Sequence, residues 1–396
     1  MSPLQLSAYT LTTCLGRGLN VTREALRSER SGLTACRFET VDLDTWIGKV
    51  EGVDAQVLPD ALSHYDCRNN ALTRMGLETD GFAQRVREAI EQHGPSRVGV
   101  FLGTSTAGIL QTELAYRRRD PATGSLPADF NYRSTHNAFS LAEFTRDYFG
   151  LQGMAMAIST ACSSSAKVFG AAARQLALGS IDAAIVGGVD SLCLTTLYGF
   201  SSLQLTSRQP CRPCDVARDG ISIGEAAAFA LLERSSDPKP GSVLLLGVGE
   251  SSDAYHMSAP HPQGLGARVA MEAALRSASL TADEIDYINL HGTATPANDA
   301  AEGQAVVALF GDRVPCNSTK GATGHTLGAA GAVEALICAL ALTDGRLPAS
   351  PGTQALDPAL PIRYQIHGGV ARVRRVLTNS FGFGGSNCSL VLGVAE

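Results

Sequence analysis

"ISTACSSSAKVFGAAARQLALGSIDAAIVGG", residues 158–188, holds a strand end, a cysteine, a helix and a second strand in one stretch. After Cys162, the apolar residues Val168, Phe169, Ala172 and Leu176 recur at helical spacing, and Gly179 supplies a C-terminal stop. The run "DAAIVGG" (182–188) then reads as a buried strand. This order predicts layered α/β architecture and sets the Cys162 thiol at or beside a helix N-terminus. Free N–H groups and the helix dipole there favour thiolate over thiol, which lowers the pKa, and leave a main-chain donor for an oxyanion. On position alone, a buried inert cysteine is the commoner explanation.

The same alternation runs outward through the chain. "RVGVFLGTS" (97–105), "AAAFALLE" (226–233), "SVLLLGVG" (242–249), "IDYINLHG" (285–292) and "NCSLVLGV" (387–394) read as strands between Ala-rich helical segments. "RSSDPKPGS" (234–242), polar and with two prolines, is the expected join between two halves, taken as 1–238 and 239–396. An internal echo supports two halves: "STACSSSAKVFGAAARQLALG" (159–179) has a counterpart in "STKGATGHTLGAAGAVEALICALALTDG" (318–345). Small residues on both helices let backbones approach closely, so both are expected at the centre of the molecule.

Composition narrows the class. With 396 residues, 44% hydrophobic, 18% charged and 41 glycines, the chain has the profile of a compact α/β enzyme. A net charge of −6, with no basic run beyond "RRR" at 117–119, points away from nucleic acid and anionic membranes. The N-terminus lacks a basic-then-apolar signal pattern, and no apolar run is read as reaching the roughly eighteen residues of a membrane span. The expectation is a soluble, cytoplasmic protein with its ten scattered cysteines reduced. Cys211 and Cys214 form a lone CxxC without a second half-site, which reads as two structural thiols and gives no metal site.

Three further stretches carry chemistry. "NLHGTATPANDAAE" (289–302) puts His291 at a strand end, with Thr293 and Thr295 in the loop beyond. "CNSTKGATGHTLGAAGAVEA" (316–335) gathers Lys320, His325 and Glu334 around a glycine-broken turn into a helix. "TNSFGFGGSNCSLVL" (378–392) sets Phe381 and Phe383 between glycines just before a strand, so the loop can aim an N–H at a ligand while a phenylalanine gates it. A single loop histidine is more often structural; two with a lysine shift the balance towards a site.

Taken together, "TACSSS", "GGVDS", "CRPCDVARDGISIGEAAA", "ESSDAYHMSAP", "HGTATPAND", "NSTKGATGHTLGAAGAVEA" and "NSFGFGGSN" resemble the β-ketoacyl-acyl-carrier-protein synthases of types I and II, from about residue 97 to the end. The resemblance implies the thiolase fold, duplicated halves forming a five-layer α/β/α/β/α sandwich, usually dimeric. It implies that Cys162 accepts an acyl group from acyl carrier protein, and that malonyl carrier protein is then decarboxylated and condensed with it. By the same resemblance, the N–H groups of Cys162 and Phe383 form the oxyanion hole, and His291 and His325 hold the malonyl thioester carbonyl. Lys320 orients the site, Glu334 supports it, Thr293 and Thr295 hold the phosphopantetheine arm, and Phe383 doubles as the gate. Thr106, in "GTSTAGI", and Phe200 are expected to line the acyl pocket and tunnel mouth. No metal or resident cofactor is implied, since the phosphopantetheine is carried by the substrate.

The chain departs from the family pattern at Cys214, where an aromatic is common, at Ala294, where Gly or Ser is common, and at Met154, where proline is common. "YDCRNNALTRMGLE" and "GTSTAGI" look more like ketosynthases of aryl-polyene or related pigment pathways, in which the active subunit often pairs with a cysteine-less chain-length factor. This chain, having Cys162, is not that partner; homodimer and heterodimer stay open, as does a non-catalytic scaffold role. A thiolase would want a second catalytic cysteine near the C-terminus, where Cys388 reads as a strand residue. A type III synthase would have Asn in place of His325, and no GxSxG elbow suggests a hydrolase.

Overall fold

The computed structural model describes residues 1–235 and 237–396; Ser236, inside the expected join at 234–242, lies outside the described residues. The main sheet runs in the order Cys316–Asn317, Tyr287–Asn289, Arg375–Gly382, Ser386–Val394, Val243–Ser252, Leu4–Thr13, Ala226–Arg234, Ala183–Asp190, Val98–Gly103, Ala155–Ile158. A seam divides it where Leu4 and Gln5 pair with Leu245 and Leu244. On each side of the seam the pattern repeats: three parallel strands at the far edge, then two antiparallel strands leading inward. The echo between residues 159–179 and 318–345 is thus the trace of a duplicated topology.

Between the two strand groups lie the helices Ser164–Ala177 and Ala330–Asp344, packed on each other and on strands of both halves. Arg68–Leu77, Phe82–His93 and Phe139–Phe149 cover the outer face of the first group, and Leu265–Ala278 with Pro296–Phe310 covers the second. The result is the five-layer sandwich of the thiolase fold. Residues Ala330 to Leu342 are all buried, as expected for a helix that is apolar all round but for Glu334. This corrects one expectation: Leu327–Asp344 does form an 18-residue stretch apolar enough to cross a membrane, with mean hydropathy 1.6. It is 89% buried inside the fold, and its alanines and glycines serve close helix packing.

Gly331 shows how close. A Cβ there would stand 2.7 Å from the Cβ and N of Ala166 and 2.9 Å from Ser380 Oγ, while Ala332 N–H donates to Ser165 Oγ at 2.9 Å. Gly331→Val is therefore expected to cost about 1–3 kcal/mol through overpacking. Urea unfolding reads this as a lower midpoint at unchanged slope; a wild-type midpoint would mean that the helices do not meet there.

The parallel strands of both halves end at the same region, so the loops after them converge, as in other α/β sheets whose chemistry gathers at strand C-termini. The loops after Ala155–Ile158, Tyr287–Asn289, Cys316–Asn317 and Arg375–Gly382 carry Cys162, His291, Lys320 with His325, and Phe383 respectively.

Candidate active site

Cys162 sits one residue before the N-cap, Ser163, of helix Ser164–Ala177. The preceding Ala161 has φ +51°, a left-handed turn that swings the thiol away from the sheet and into a cavity of about 250 Å³. The Phe383 loop closes over it. A Cβ on Gly382 would lie 2.8 Å from Thr160 O and 3.3 Å from Cys162 N, so glycine is what permits this approach. The main-chain N–H groups of Phe383 and of Cys162 itself lie close enough to the sulfur to favour its thiolate. Phe383 packs on Phe200, ring centroids 5.6 Å apart, at the cavity wall.

The two histidines are buried and meet edge to face, 5.3 Å between centroids. His325 Nε2 stands 3.1 Å from Cys162 Sγ, while its Nδ1 accepts the Leu327 N–H at 3.2 Å. His291 Nδ1 faces the Lys320 ammonium at 3.3 Å. With both Nδ1 atoms occupied by donors, each ring carries its proton on Nε2 and presents it to the cavity. Burial and the Lys320 charge hold both rings well below the usual histidine pKa, so they act as neutral imidazoles. The Cys162, His291 and His325 donor atoms lie within 4.8 Å of one another, a set that could hold a metal by composition. A metal on Nε2 needs the proton on Nδ1, and the occupied Nδ1 atoms favour N–H donation instead.

Lys320 Nζ also donates to the His291 carbonyl at 2.5 Å and is ion-paired with Glu334, both side chains being almost fully buried. Burial raises the Glu334 carboxyl to about 7, against the pull of Lys320. Thr293 and Thr295 line the cavity with their hydroxyls 2.9 Å apart, and Phe381 packs its ring edge near His291 at 6.0 Å.

Two expectations change. Burial pushes the Cys162 thiol up to about 11, where the helix N-terminus had suggested a lowered value; Lys320 and the two N–H groups pull the other way without overcoming desolvation. Thr106 does not line the cavity: its N–H and hydroxyl both turn to Asp190, at 2.8 Å each.

Sequence reasoning also passed over Glu302. This buried carboxylate accepts the N–H groups of His291 and Gly292, each at 2.8 Å, and the Asn379 amide at 3.0 Å, fixing the His291 loop. Its signal was a pair of acids, Asp299 and Glu302, one turn apart on a helix made mostly of small and apolar residues. The family departures have local readings: Ala294 holds φ +65°, which suits the glycine common there, and Cys214 is a buried free thiol whose N–H donates to Asp299 at 2.8 Å.

A thiolase sandwich with a buried cysteine beside two imidazole N–H donors defines a carbon–carbon bond-forming acyltransferase, a condensing enzyme. The chain belongs to the β-ketoacyl synthase family: residues 10–238 match the model "Beta-ketoacyl synthase, N-terminal domain" and 243–354 the model "Beta-ketoacyl synthase, C-terminal domain". It is 32% identical to 3-oxoacyl-[acyl-carrier-protein] synthase 2 of Vibrio cholerae over 95% of each chain. To the synthase 2 of Rhizobium meliloti it is 42% identical, over 61% of each chain. It also resembles the solved ketosynthase ApeO, in complex with its chain length factor ApeC, from Xenorhabdus doucetiae. There the TM-score is 0.91 at 38% identity, covering all of this chain and 98% of that one.

Proposed function

We propose that this chain is the catalytic ketosynthase of a β-ketoacyl elongation step, of the kind that builds fatty-acid, polyene or polyketide chains. The acyl carbonyl of an acyl carrier protein thioester enters the hole formed by the Cys162 and Phe383 N–H groups, and the Cys162 sulfur attacks it. The carrier's pantetheine leaves as a thiol, taking up the proton that Cys162 gives up. Malonyl carrier protein then places its thioester carbonyl against the Nε2–H groups of His291 and His325. The carboxylate leaves as carbon dioxide, the electron pair is held as an enolate under those two donors, and it attacks the Cys162 thioester. The new carbon–carbon bond expels the cysteine sulfur as a thiolate, which takes up a proton from solvent.

The single observation carrying this reading is the His325 Nε2 to Cys162 Sγ distance of 3.1 Å, with both histidine Nδ1 atoms already occupied. Two neutral N–H donors suit an enolate oxygen; a general base would need a free ring nitrogen. Lys320 and Glu334 keep His291 in that state, and Thr293 and Thr295 suit the amide-rich pantetheine arm. No resident cofactor or metal is needed, because the arm arrives on the carrier protein. The likeness to ApeO supports an aryl-polyene type of pathway and a chain-length-factor partner, with a homodimer as the alternative assembly. Ten free thiols suit the reducing cytoplasm.

Intact-protein mass spectrometry with a panel of acyl carrier proteins, alone and with a chain-length-factor subunit, tests this. The expected result is one acyl adduct that maps to Cys162 and discharges as β-ketoacyl product on adding malonyl carrier protein. A folded sample that takes no acyl group under either condition would favour a non-catalytic scaffold.

A further inference from the structure

The "GGVDS" segment (187–191) has so far no role, yet its Asp190 stands at the end of the central strand Ala183–Asp190, fully buried. Every partner it has is a backbone N–H or a hydroxyl. Oδ1 accepts Thr104 Oγ1 at 2.7 Å and Ser105 N, Thr106 N and Thr106 Oγ1 at 2.8 Å; Oδ2 accepts the Gly328 N–H. We propose that Asp190 is a positioning residue that locks the turn carrying Cys162 and the turn carrying His325 into one register. This rests on the roles given above to those two residues.

The first arm runs through Ser105, whose Oγ donates to the Ala161 carbonyl at 3.2 Å. Ala161, at φ +51°, is the strained residue that aims Cys162. The second arm runs through Gly328, which directly follows Leu327, also at φ +51°. The Leu327 N–H is the group that holds His325 Nδ1. Left-handed backbone at non-glycine residues persists only where the surroundings over-determine it, and Asp190 holds an end of both turns. A Cβ on Gly328 would meet Ser105 Oγ at 2.6 Å and Asp190 Oδ2 at 2.8 Å, so the two arms also touch each other.

Only an ionised carboxylate accepts on both oxygens with no donor of its own. Asparagine keeps the size but must turn an NH₂ towards one set of donors. With its oxygen left to the four-donor side, the NH₂ faces the Gly328 N–H, and the Leu327 turn loses its anchor. The His325 ring is then free to exchange tautomers, which weakens enolate stabilisation without touching the substrate directly.

The test compares wild type, Asp190→Asn and Ser105→Ala by ¹⁵N-histidine NMR, by the acylation rate of Cys162, and by malonyl carrier protein decarboxylation. In Asp190→Asn, the His325 shifts are expected to move from the Nε2–H pattern towards a tautomer average. Its decarboxylation kcat should fall about 100-fold, as on loss of an oxyanion donor, with KM within about twofold of wild type. Ser105→Ala should slow acylation about 3- to 10-fold, the scale of one hydrogen bond, and leave the His325 shifts alone. Asp190→Asn with wild-type histidine shifts, or a kcat loss no larger than its loss of folded protein, would overturn the proposal. If that variant does not fold, an unchanged acylation rate in Ser105→Ala overturns it alone. The NMR signature needs no substrate, so a wild type that condensed nothing would count against the ketosynthase reading and leave Asp190 still to be judged.

Discussion

Cys162→Ala is expected to abolish condensation, on the order of 10⁴-fold or more, while the protein stays folded and still decarboxylates malonyl carrier protein. Among the described residues lining the cavity, Cys162 is the one thiol: the polar side chains beside it are the imidazoles of His291 and His325, committed as donors, with the hydroxyls of Thr293, Thr295 and Ser258, the amides of Asn298 and Asn387, and the Asp253 carboxylate further along the wall. Losing the only covalent acceptor removes the acyl-enzyme route entirely, as with other nucleophile deletions. The side chain is small and contributes little packing, so the cost in stability is on the order of 1 kcal/mol. Decarboxylation needs the enolate donors, and these are fixed from elsewhere, His325 by Leu327 and His291 by Lys320 and Glu302. Quantifying carbon dioxide release and β-ketoacyl product in parallel separates the two steps. Wild-type condensation by this variant would move the nucleophile to another residue; loss of both activities in a folded sample would mean that the sulfur also holds the histidines in place.

The strand–cysteine–helix unit was legible because it is local: helical spacing, a glycine stop and small residues all lie within 31 residues. The duplicated halves were legible for the same reason, as two such units each keep their own pattern. His291, His325, Lys320 and Phe383 could be placed in loops at strand or helix ends; the cavity brings His291, His325 and Phe383 together with Cys162, and Lys320 stands behind His291. What the chain did not announce depends on partners distant in sequence. Asp190 and Glu302 look like ordinary acids until backbone N–H groups from other loops close on them. Thr106, expected at the cavity, is instead held by Asp190, a partner 84 residues away. The Cys162 pKa reverses direction because its desolvation is set by tertiary burial, which outweighs the local helix terminus.

Lys320→Met is expected to lose both stability and decarboxylation, and a second substitution should restore only the first. Among the described residues, Lys320 is the single cation paired with Glu334, and both are buried. Removing one member of a buried pair leaves the other uncompensated, which typically costs about 3–5 kcal/mol. Glu334 escapes part of that cost by taking a proton. Its folded pKa is already raised by burial, and without Lys320 the opposing pull disappears. A group with a raised folded pKa contributes stability that is full below its unfolded value and is lost as pH rises through the folded one. The variant's deficit should therefore be small near pH 4.5 and widen as the pH climbs past 7, as read from denaturant midpoints. Lys320→Met with Glu334→Gln removes the buried charge and should flatten that pH dependence. Activity is a different matter, since His291 Nδ1 still lacks the ammonium that keeps its proton on Nε2. Decarboxylation should stay about 100-fold or more below wild type in single and double variants alike. If the double variant regained activity along with stability, Lys320 would be only a structural counter-ion to Glu334, and the tautomer of His291 would have to be fixed by Glu302 through the backbone alone.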